Sequence, residues 1–142
     1  MSFSRSKSVV IFQYNIEGSV LGRVTEYRDL GVLFDQRLTF VPHVRATVSD
    51  GLRTLGFIIR NSRDLSETGS LFLLFTALVR SKLEYGCVVW NPGYKIHIES
   101  LEKIQRRFLK YVSFKIDGVY PCRGIQDGYL LSRFNVNSFA RP

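Results

Sequence analysis

The sequence predicts an α+β fold in which a small antiparallel sheet of about three strands precedes a three-helix bundle and an irregular tail. Residues 1–40 contain short runs of β-branched and aromatic residues separated by turn residues, which is typical of strands. Residues 41–115 carry apolar residues at spacings of three and four, which is typical of amphipathic helices. Residues 116–142 are rich in glycine and turn-forming residues. The chain therefore divides into three predicted parts, 1–40, 41–115 and 116–142.

Three apolar runs near the N-terminus predict the strands. Residues 8–16 are rich in β-branched and aromatic side chains, and Glu17 with Gly18 offers a turn into a second strand at 19–25. Residues 30–34 predict a third strand, with a bulge or a close backbone approach at Gly31. Residues 9–12 are apolar without alternation, so we expect burial on both faces of the sheet, against a segment that is not necessarily part of this chain.

The first helix is predicted to begin near Pro42, after a cap at Thr39, and to end at Asn61. Gly51 and Gly56 lie within its apolar stripe. Since each glycine costs about 1 kcal/mol relative to alanine in a helix, we expect close contact or a bend where they occur.

Two more helices and a short one are predicted downstream. The second follows a cap at Ser66 and extends to about residue 85, with an apolar face broad enough for a central position; Asn-Pro-Gly at 91–93 ends the helical character. The third spans about 96–111, and the tail allows a short helix at 129–134. Tyr85, Trp90 and Tyr94 are aromatic residues suited to base stacking or to anchoring a core, and we expect Trp90 in the core.

Composition limits the classes of function. The chain has 142 residues and a formal net charge of +8, which favours contact with nucleic acid or another anionic surface. No apolar run approaches the roughly 18 residues of a membrane span, and the first residues lack the apolar segment of a signal peptide. We therefore expect no membrane association and an intracellular location, nuclear or cytoplasmic. Cys87 and Cys122 have no metal-type spacing, so we expect free, reduced thiols.

The acidic residues predict no catalytic site and no metal site in this chain. They are scattered, whereas two-metal phosphoryl transfer needs carboxylates that hold two ions roughly 4 Å apart. His43 and His97 have no cysteine or carboxylate partner at ligand spacing. We therefore expect this chain to bind no cofactor.

The best candidate for function is the basic side of the third helix. Lys103, Arg106, Arg107 and Lys110 fall opposite its apolar residues. A helix with such a face is suited to lie along a phosphate backbone. The same pattern also describes the solvated face of an ordinary amphipathic helix, and the residues alone leave both interpretations open.

Three segments carry a resemblance to a known family. They are YRDLGVLFDQRLTFVPHV at 27–44, LVRSKLEYGCVVWNP at 78–92 and IESLEKIQRRFLKY at 98–111. In order and spacing they resemble the reverse transcriptases of insect non-LTR retrotransposons of the jockey type. The resemblance places residues 1–40 at the end of the palm subdomain and residues 41–115 in the thumb.

The resemblance implies an RNA-directed DNA polymerase of a mobile element, with a template-primer duplex of RNA and DNA as its partner. It implies that Asp29, Leu30, Gly31 and Val32 form a primer grip, and that the basic helix packs against the duplex. The family's fingers and paired catalytic aspartates lie upstream of these segments. We therefore expect an upstream palm and fingers segment as a partner, Mg²⁺ in the full-length enzyme, and no activity from this chain alone.

A second function comes from a different class. The chain is alternatively a non-catalytic helical interaction module derived from a mobile element, which binds a protein through exposed apolar surface. Salt dependence separates the two functions, because phosphate contacts weaken steeply with salt.

Overall fold

The computed structural model describes residues 1–6, 12–90, 95–122 and 124–139, with the backbone alone at 95 and 96. The predicted α+β class is confirmed: two small antiparallel sheets precede a series of helices. The chain forms two compact units, here called the hairpin unit (1–45) and the helical unit (46–142). Predictions for 8–11, for 91–93 and for Tyr94 lie outside the described residues. The division at residues 40 and 115 stays a prediction.

The first sheet of the hairpin unit is a short hairpin. Its strands are β1 (Asn15–Ile16) and β2 (Ser19–Val20). Glu17 and Gly18 form the predicted turn, with φ values of 48° and 80°. Two successive positive φ values match the turn type that suits the right-handed twist of hairpin strands. Each strand has two residues, much less than the described parts of the predicted segments, 12–16 and 19–25, and Phe12 is 63% exposed in this chain rather than buried.

The second sheet is another hairpin, made by β3 (Glu26–Asp29) and β4 (Val32–Asp35). Its turn is Leu30-Gly31, with φ values of 45° and 83°. The predicted bulge at Gly31 was therefore wrong, since the glycine lies in the turn between two strands. The exposed strand β3 was not predicted, because Glu-Tyr-Arg-Asp has neither an apolar face nor β-branched residues.

Asp35 organises the turn that follows β4. Its carboxylate accepts hydrogen bonds from the Phe40 N–H at 2.8 Å, the Thr39 hydroxyl at 3.1 Å and the Arg37 N–H at 3.2 Å. Burial raises the pKa of Asp35, but hydrogen bonds from Thr39, Phe40 and Arg37 outweigh it and lower the pKa below its usual value. These bonds support a turn in which Leu38 and Phe40 have φ values of 53° and 55°.

His43 links the start of the first helix to β4. Its side chain is buried, and its Nδ1 accepts a hydrogen bond from the Leu33 N–H at 3.2 Å. Burial, and then the charge of Arg28, lower the pKa of His43. The geometry therefore favours the neutral ring, whose Nδ1 is an acceptor.

The helical unit contains seven helical segments in the residues described, of which the second, third and fourth follow one another without a break. They are α1 (Val41–Asn61, from residue 46 onward in this unit), α2 (Thr68–Phe75), a π-helical turn (Thr76–Arg80) continuing into α3 (Ser81–Glu84), α4 (Cys87–Trp90), α5 (Lys95–Asp117) and α6 (Asp127–Phe134). The predicted ends of α1 are confirmed, and so is the short helix in the tail. The predicted cap at Ser66 was wrong, because Glu67 precedes α2 and its carboxylate accepts a hydrogen bond from the Ser70 hydroxyl.

The core of the helical unit is built around α5. Phe108 is fully buried, stacks on Phe75 with ring centroids 4.1 Å apart, and meets Phe72 edge-on at 5.2 Å. Trp90 is buried as predicted, and its indole N–H donates to the Tyr85 carbonyl at 2.6 Å. Other buried apolar side chains complete this core: Leu55, Ile58, Leu71, Val79, Leu83, Leu101, Ile104, Leu109, Val112 and Leu130.

At Gly51, α1 lies close to its neighbours. A Cβ atom at this position would lie 2.9 Å from Leu83 Cδ2 and 3.1 Å from Ile104 Cδ1. The expected close contact is thus confirmed at Gly51. At Gly56 the nearest atom would be the flexible end of Arg60, at 3.3 Å.

Lys115 ties the end of α5 to the segment after α1. Its ammonium group donates to the backbone carbonyls of Arg63 at 2.5 Å, Leu65 at 2.8 Å and Ser62 at 2.9 Å. These carbonyls follow a helix C-terminus, where the last carbonyls lack intrahelical partners. A lysine there also interacts favourably with the helix dipole.

The two glycines of α1 should respond oppositely to alanine. Gly51→Ala should destabilise the helical unit, because overpacking a core typically costs about 1–3 kcal/mol and exceeds the gain in helix propensity. Gly56→Ala should stabilise it by about 0.5–1 kcal/mol. Urea unfolding, followed by Trp90 fluorescence, measures both. A Gly51→Ala protein as stable as the Gly56→Ala protein would contradict the close approach of α1 to Leu83 and Ile104.

The hairpin unit should lose stability on acidification through His43. The folded pKa is lowered, so the unfolded state binds more protons once the pH falls below about 6.5, and stability declines from there. Between pH 7.5 and 5.5 the Asp35 carboxylate stays ionised, because its pKa lies below 3.8. Protection factors of the β4 amides, in which the pH dependence of intrinsic exchange is divided out, measure the effect across this range. His43→Asn keeps an acceptor without titrating and should remove most of the pH dependence; an unchanged dependence would exclude His43 as its source.

Candidate nucleic-acid interface

The four residues predicted as a primer grip form the tip of the second hairpin. Asp29 ends β3 and is paired with Val32, which begins β4, and Leu30-Gly31 is the turn between them. Val32 is buried, whereas the Leu30 side chain is 84% exposed. The tip therefore holds Leu30 outward on a paired, hydrogen-bonded base. Their role in gripping a primer stays a prediction.

Leu30 has a backbone conformation that is unusual for its residue type. A leucine at φ 45° lies in the left-handed region, which costs a non-glycine residue roughly 1–2 kcal/mol. Such strain persists only where the surroundings impose it, and it is concentrated at functional sites. Here the two-residue turn imposes it and presents an apolar side chain to solvent. The tip is thus suited to a van der Waals contact.

Three of the four predicted basic residues share one outer face of α5. Lys103, Arg107 and Lys110, here called the basic stripe, follow each other at spacings of four and three. Lys103 and Arg107 are exposed and Lys110 is half-buried. None of the three forms an ion pair with any residue that the structure describes. With a rise of about 1.5 Å per residue, the stripe is about 10 Å long, close to three base-pair steps measured along the axis of a duplex.

Two aromatic residues extend this face towards the end of α5, and the sequence analysis missed them. Phe114 follows Lys110 by four residues and is 41% exposed. Its ring lies 6.0 Å from that of Tyr120, which is also exposed. Exposed aromatic rings next to basic residues suit the stacking of unpaired bases. The sequence feature that could have identified Phe114 is its spacing of seven residues, about two helical turns, from Arg107.

Arg106, the fourth predicted residue, faces α6. Its guanidinium pairs with the Asp127 carboxylate, with the two side chains 38% and 42% exposed. Its Nε is buried and has no hydrogen-bond partner among the described residues. The helical spacing alone groups Arg106 with the other three residues. Its contact with Asp127, 21 residues later, has no local sequence pattern and was therefore not predicted. Nucleic-acid binding by all four residues stays a prediction.

The carboxylates of the described residues are dispersed rather than clustered. No three side chains of the types His, Cys, Asp and Glu come together in the part of the chain that the structure describes. Several carboxylates are instead bound to cations of this chain. The ion pairs among the described residues are Asp50 with Arg53, Glu84 with Arg80, Asp117 with Arg133 and Asp127 with Arg106.

The cysteines and the hydropathy of the helices are two further features of the described chain. Cys87 and Cys122 are free thiols, as expected, and both are exposed. Across the described ranges, no helix has both the length and the apolar character needed to cross a bilayer.

Comparison with known proteins finds a similar protein in an insect. The chain is 24% identical over 123 residues to a protein of Drosophila melanogaster described as a probable RNA-directed DNA polymerase from transposon BS. The alignment covers 84% of this chain but 13% of that protein, so the chain spans a small part of its relative. No family profile matches the chain, and no solved structure does. The similarity supports a relationship to the reverse transcriptases of transposons, at the level of that broad class.

Proposed function

We propose that this chain is a fragment of the reverse transcriptase of a non-LTR retrotransposon, in which the helical unit acts as a thumb and binds the template-primer duplex. The similarity to a transposon polymerase supports the enzyme class. The net charge of +8 supports a polyanionic partner. The contact is made by the outer face of α5.

The observation that carries this proposal is the basic stripe. Lys103, Arg107 and Lys110 share one face, and none is neutralised by a carboxylate in the described chain. Cations along one face of a helix suit contact with successive phosphates and need no base-specific contact. An RNA–DNA hybrid, which proteins recognise by shape and backbone, suits such a surface. Phe114 and Tyr120 then lie where an unpaired base at the duplex end would stack.

The tip of the second hairpin also serves duplex binding, through contact with the end of the primer. Leu30 is held in a strained turn and exposed, which suits contact with the sugar or base of a primer end. Asp29 at the base of the tip is less suited to touching phosphate, because like charges repel. We therefore assign the primer contact to Leu30 and the support of the tip to Val32.

Catalysis belongs to other parts of the full-length enzyme. The described carboxylates are spread over the chain and several are paired with arginine, so the magnesium ions of such a polymerase would be held by an upstream palm segment. Exposed apolar residues of the hairpin unit suit contact with that segment. They include Phe12, Tyr14, Ile16, Val20, Leu21, Val24 and Tyr27.

One observation favours the alternative, a protein-interaction module. Val88 is 94% exposed on α4, next to the exposed Val89 and close in sequence to the exposed Tyr85. Buried Trp90 anchors this short helix, so the apolar side chains are presented on a fixed support. An apolar partner surface would bind there with little dependence on salt, whereas duplex binding through α5 depends on it strongly.

Replacement of Lys103, Arg107 and Lys110 by glutamine tests the proposed thumb. Binding of a short RNA–DNA duplex is measured by fluorescence anisotropy over a series of salt concentrations. Each lost phosphate contact should reduce the slope of log K against log salt by roughly 0.7–0.9, so the triple variant should lose about 2 to 3 units of slope.

The matched control removes the same charge from α1 and α3. Arg53→Gln, Arg60→Gln and Lys82→Gln together lower the net charge equally, but Arg53 already pairs with Asp50 and Lys82 contacts Thr54. This control should retain most of the slope. Equal losses in both triple variants would mean that general charge, rather than the stripe on α5, attracts the duplex. Salt-independent binding would favour the interaction module.

A further inference from the structure

Helix α6 is attached to α5 by charged contacts near each of its ends. Near its first turn, Asp127 pairs with Arg106. Near its last turn, the Arg133 guanidinium donates to both oxygens of Asp117 at 2.7 Å and 2.8 Å, and to the Ser113 hydroxyl at 2.9 Å. The first contact joins Arg106, midway along α5, to the start of α6, and the second joins Asp117, at the end of α5, to the end of α6. The two helices therefore run in the same direction.

The apolar part of this attachment is small. Leu130 is the one residue of α6 that is fully buried, and Phe134 contacts the Phe72 ring at 5.6 Å. Beyond α6, Asn135 adopts a left-handed conformation and a strap of residues 135–139 follows. The strap is bound by polar contacts: the Gln105 side chain donates to the Asn137 carbonyl at 3.0 Å. Charged and polar contacts therefore hold much of residues 127–139 in place.

The contact with Asp127 occupies a cation next to the basic stripe. Arg106 follows Lys103 by three residues and precedes Lys110 by four, so it borders two members of the stripe on the helix surface. A carboxylate and a phosphate each present two anionic oxygens that a guanidinium can bind side by side. Asp127 thus fills the place that a phosphate oxygen would take if a strand on the stripe extended towards Arg106.

We infer that Asp127 is an autoinhibitory residue, an internal substitute for phosphate that withholds Arg106 from a nucleic-acid backbone bound to α5. This inference rests on the proposed function. A duplex on the stripe competes with Asp127 for Arg106, and its full engagement releases the first turn of α6. The helical unit would therefore bind duplex with three cations while α6 is attached and with four when its first turn is released.

The test is the variant Asp127→Asn, which removes the competing charge and keeps the shape of the side chain. One additional phosphate contact should increase the salt slope by roughly 0.7–0.9 and tighten duplex binding about four- to six-fold at 0.15 M salt. The matched control is Glu67→Gln, which adds the same net charge at a carboxylate that accepts from the Ser70 hydroxyl. The control should change affinity less than two-fold.

A double variant tests whether the gain in affinity comes from Arg106. In Arg106→Gln protein, the Asp127→Asn change should no longer tighten binding beyond the Glu67→Gln control. A gain that persists without Arg106 would overturn the inference, and so would Asp127→Asn binding equal to the control in an otherwise unchanged chain. Failure of the unmodified chain to bind duplex at all would instead overturn the proposed function.

Discussion

The burial of Phe108 against Phe75 and Phe72 is the constraint on which the helical unit depends. A helix advances about 100° per residue, so fixing one side chain fixes the direction of all the others. With Phe108 inward, Ile104 and Val112 must also face the core, and both are fully buried. Lys103 and Arg107 then face solvent with no separate interaction to direct them. The same contact that stabilises the core therefore creates the basic stripe.

The hairpin unit is organised by different forces. Its described apolar core is small, with Val32 and Val44 as the buried apolar residues, whereas many large apolar side chains remain exposed. Defined polar contacts supply part of its stability, because Asp35 holds the turn before α1 and His43 connects α1 to β4. A unit held in this way has low local stability, which is typical of segments that bind or rearrange. Coverage of its apolar surface by another protein segment would raise that stability.

Local periodicity predicted the helices well and the turns less well. Both ends of α1 followed from its apolar stripe and from Pro42 and Asn61. The tip at Leu30-Gly31 was assigned to a strand, because leucine is rare at positive φ and the apolar run concealed the turn. The exposed strand β3 has no pattern of burial and depends on pairing with β4, which a local pattern does not encode.

The candidate interface followed from the sequence only in part, for a related reason. The spacing of the cations was sufficient to place Lys103, Arg107 and Lys110 on one side of α5. The different environment of Arg106 depends on Asp127, which is 21 residues away in the sequence and meets it only through the return of the chain as α6. Contacts of that kind are set by tertiary structure, so the four cations looked equivalent.

The placement of acidic residues shapes the charged surface as much as the placement of basic ones. Twenty lysines and arginines alone would give a diffuse positive charge. In the described chain, four carboxylates each neutralise one arginine: Asp50 pairs with Arg53 on α1, Glu84 with Arg80 in the π-helical turn, Asp127 with Arg106 on α5, and Asp117 with Arg133 on α6. The stripe on α5 is left without a carboxylate partner. Since exposed charges further apart than about 8–10 Å are largely screened at physiological salt, a phosphate responds mainly to this local imbalance. On α5 itself, Arg106 is neutralised by Asp127, whereas Lys103, Arg107 and Lys110 have no carboxylate partner among the described residues.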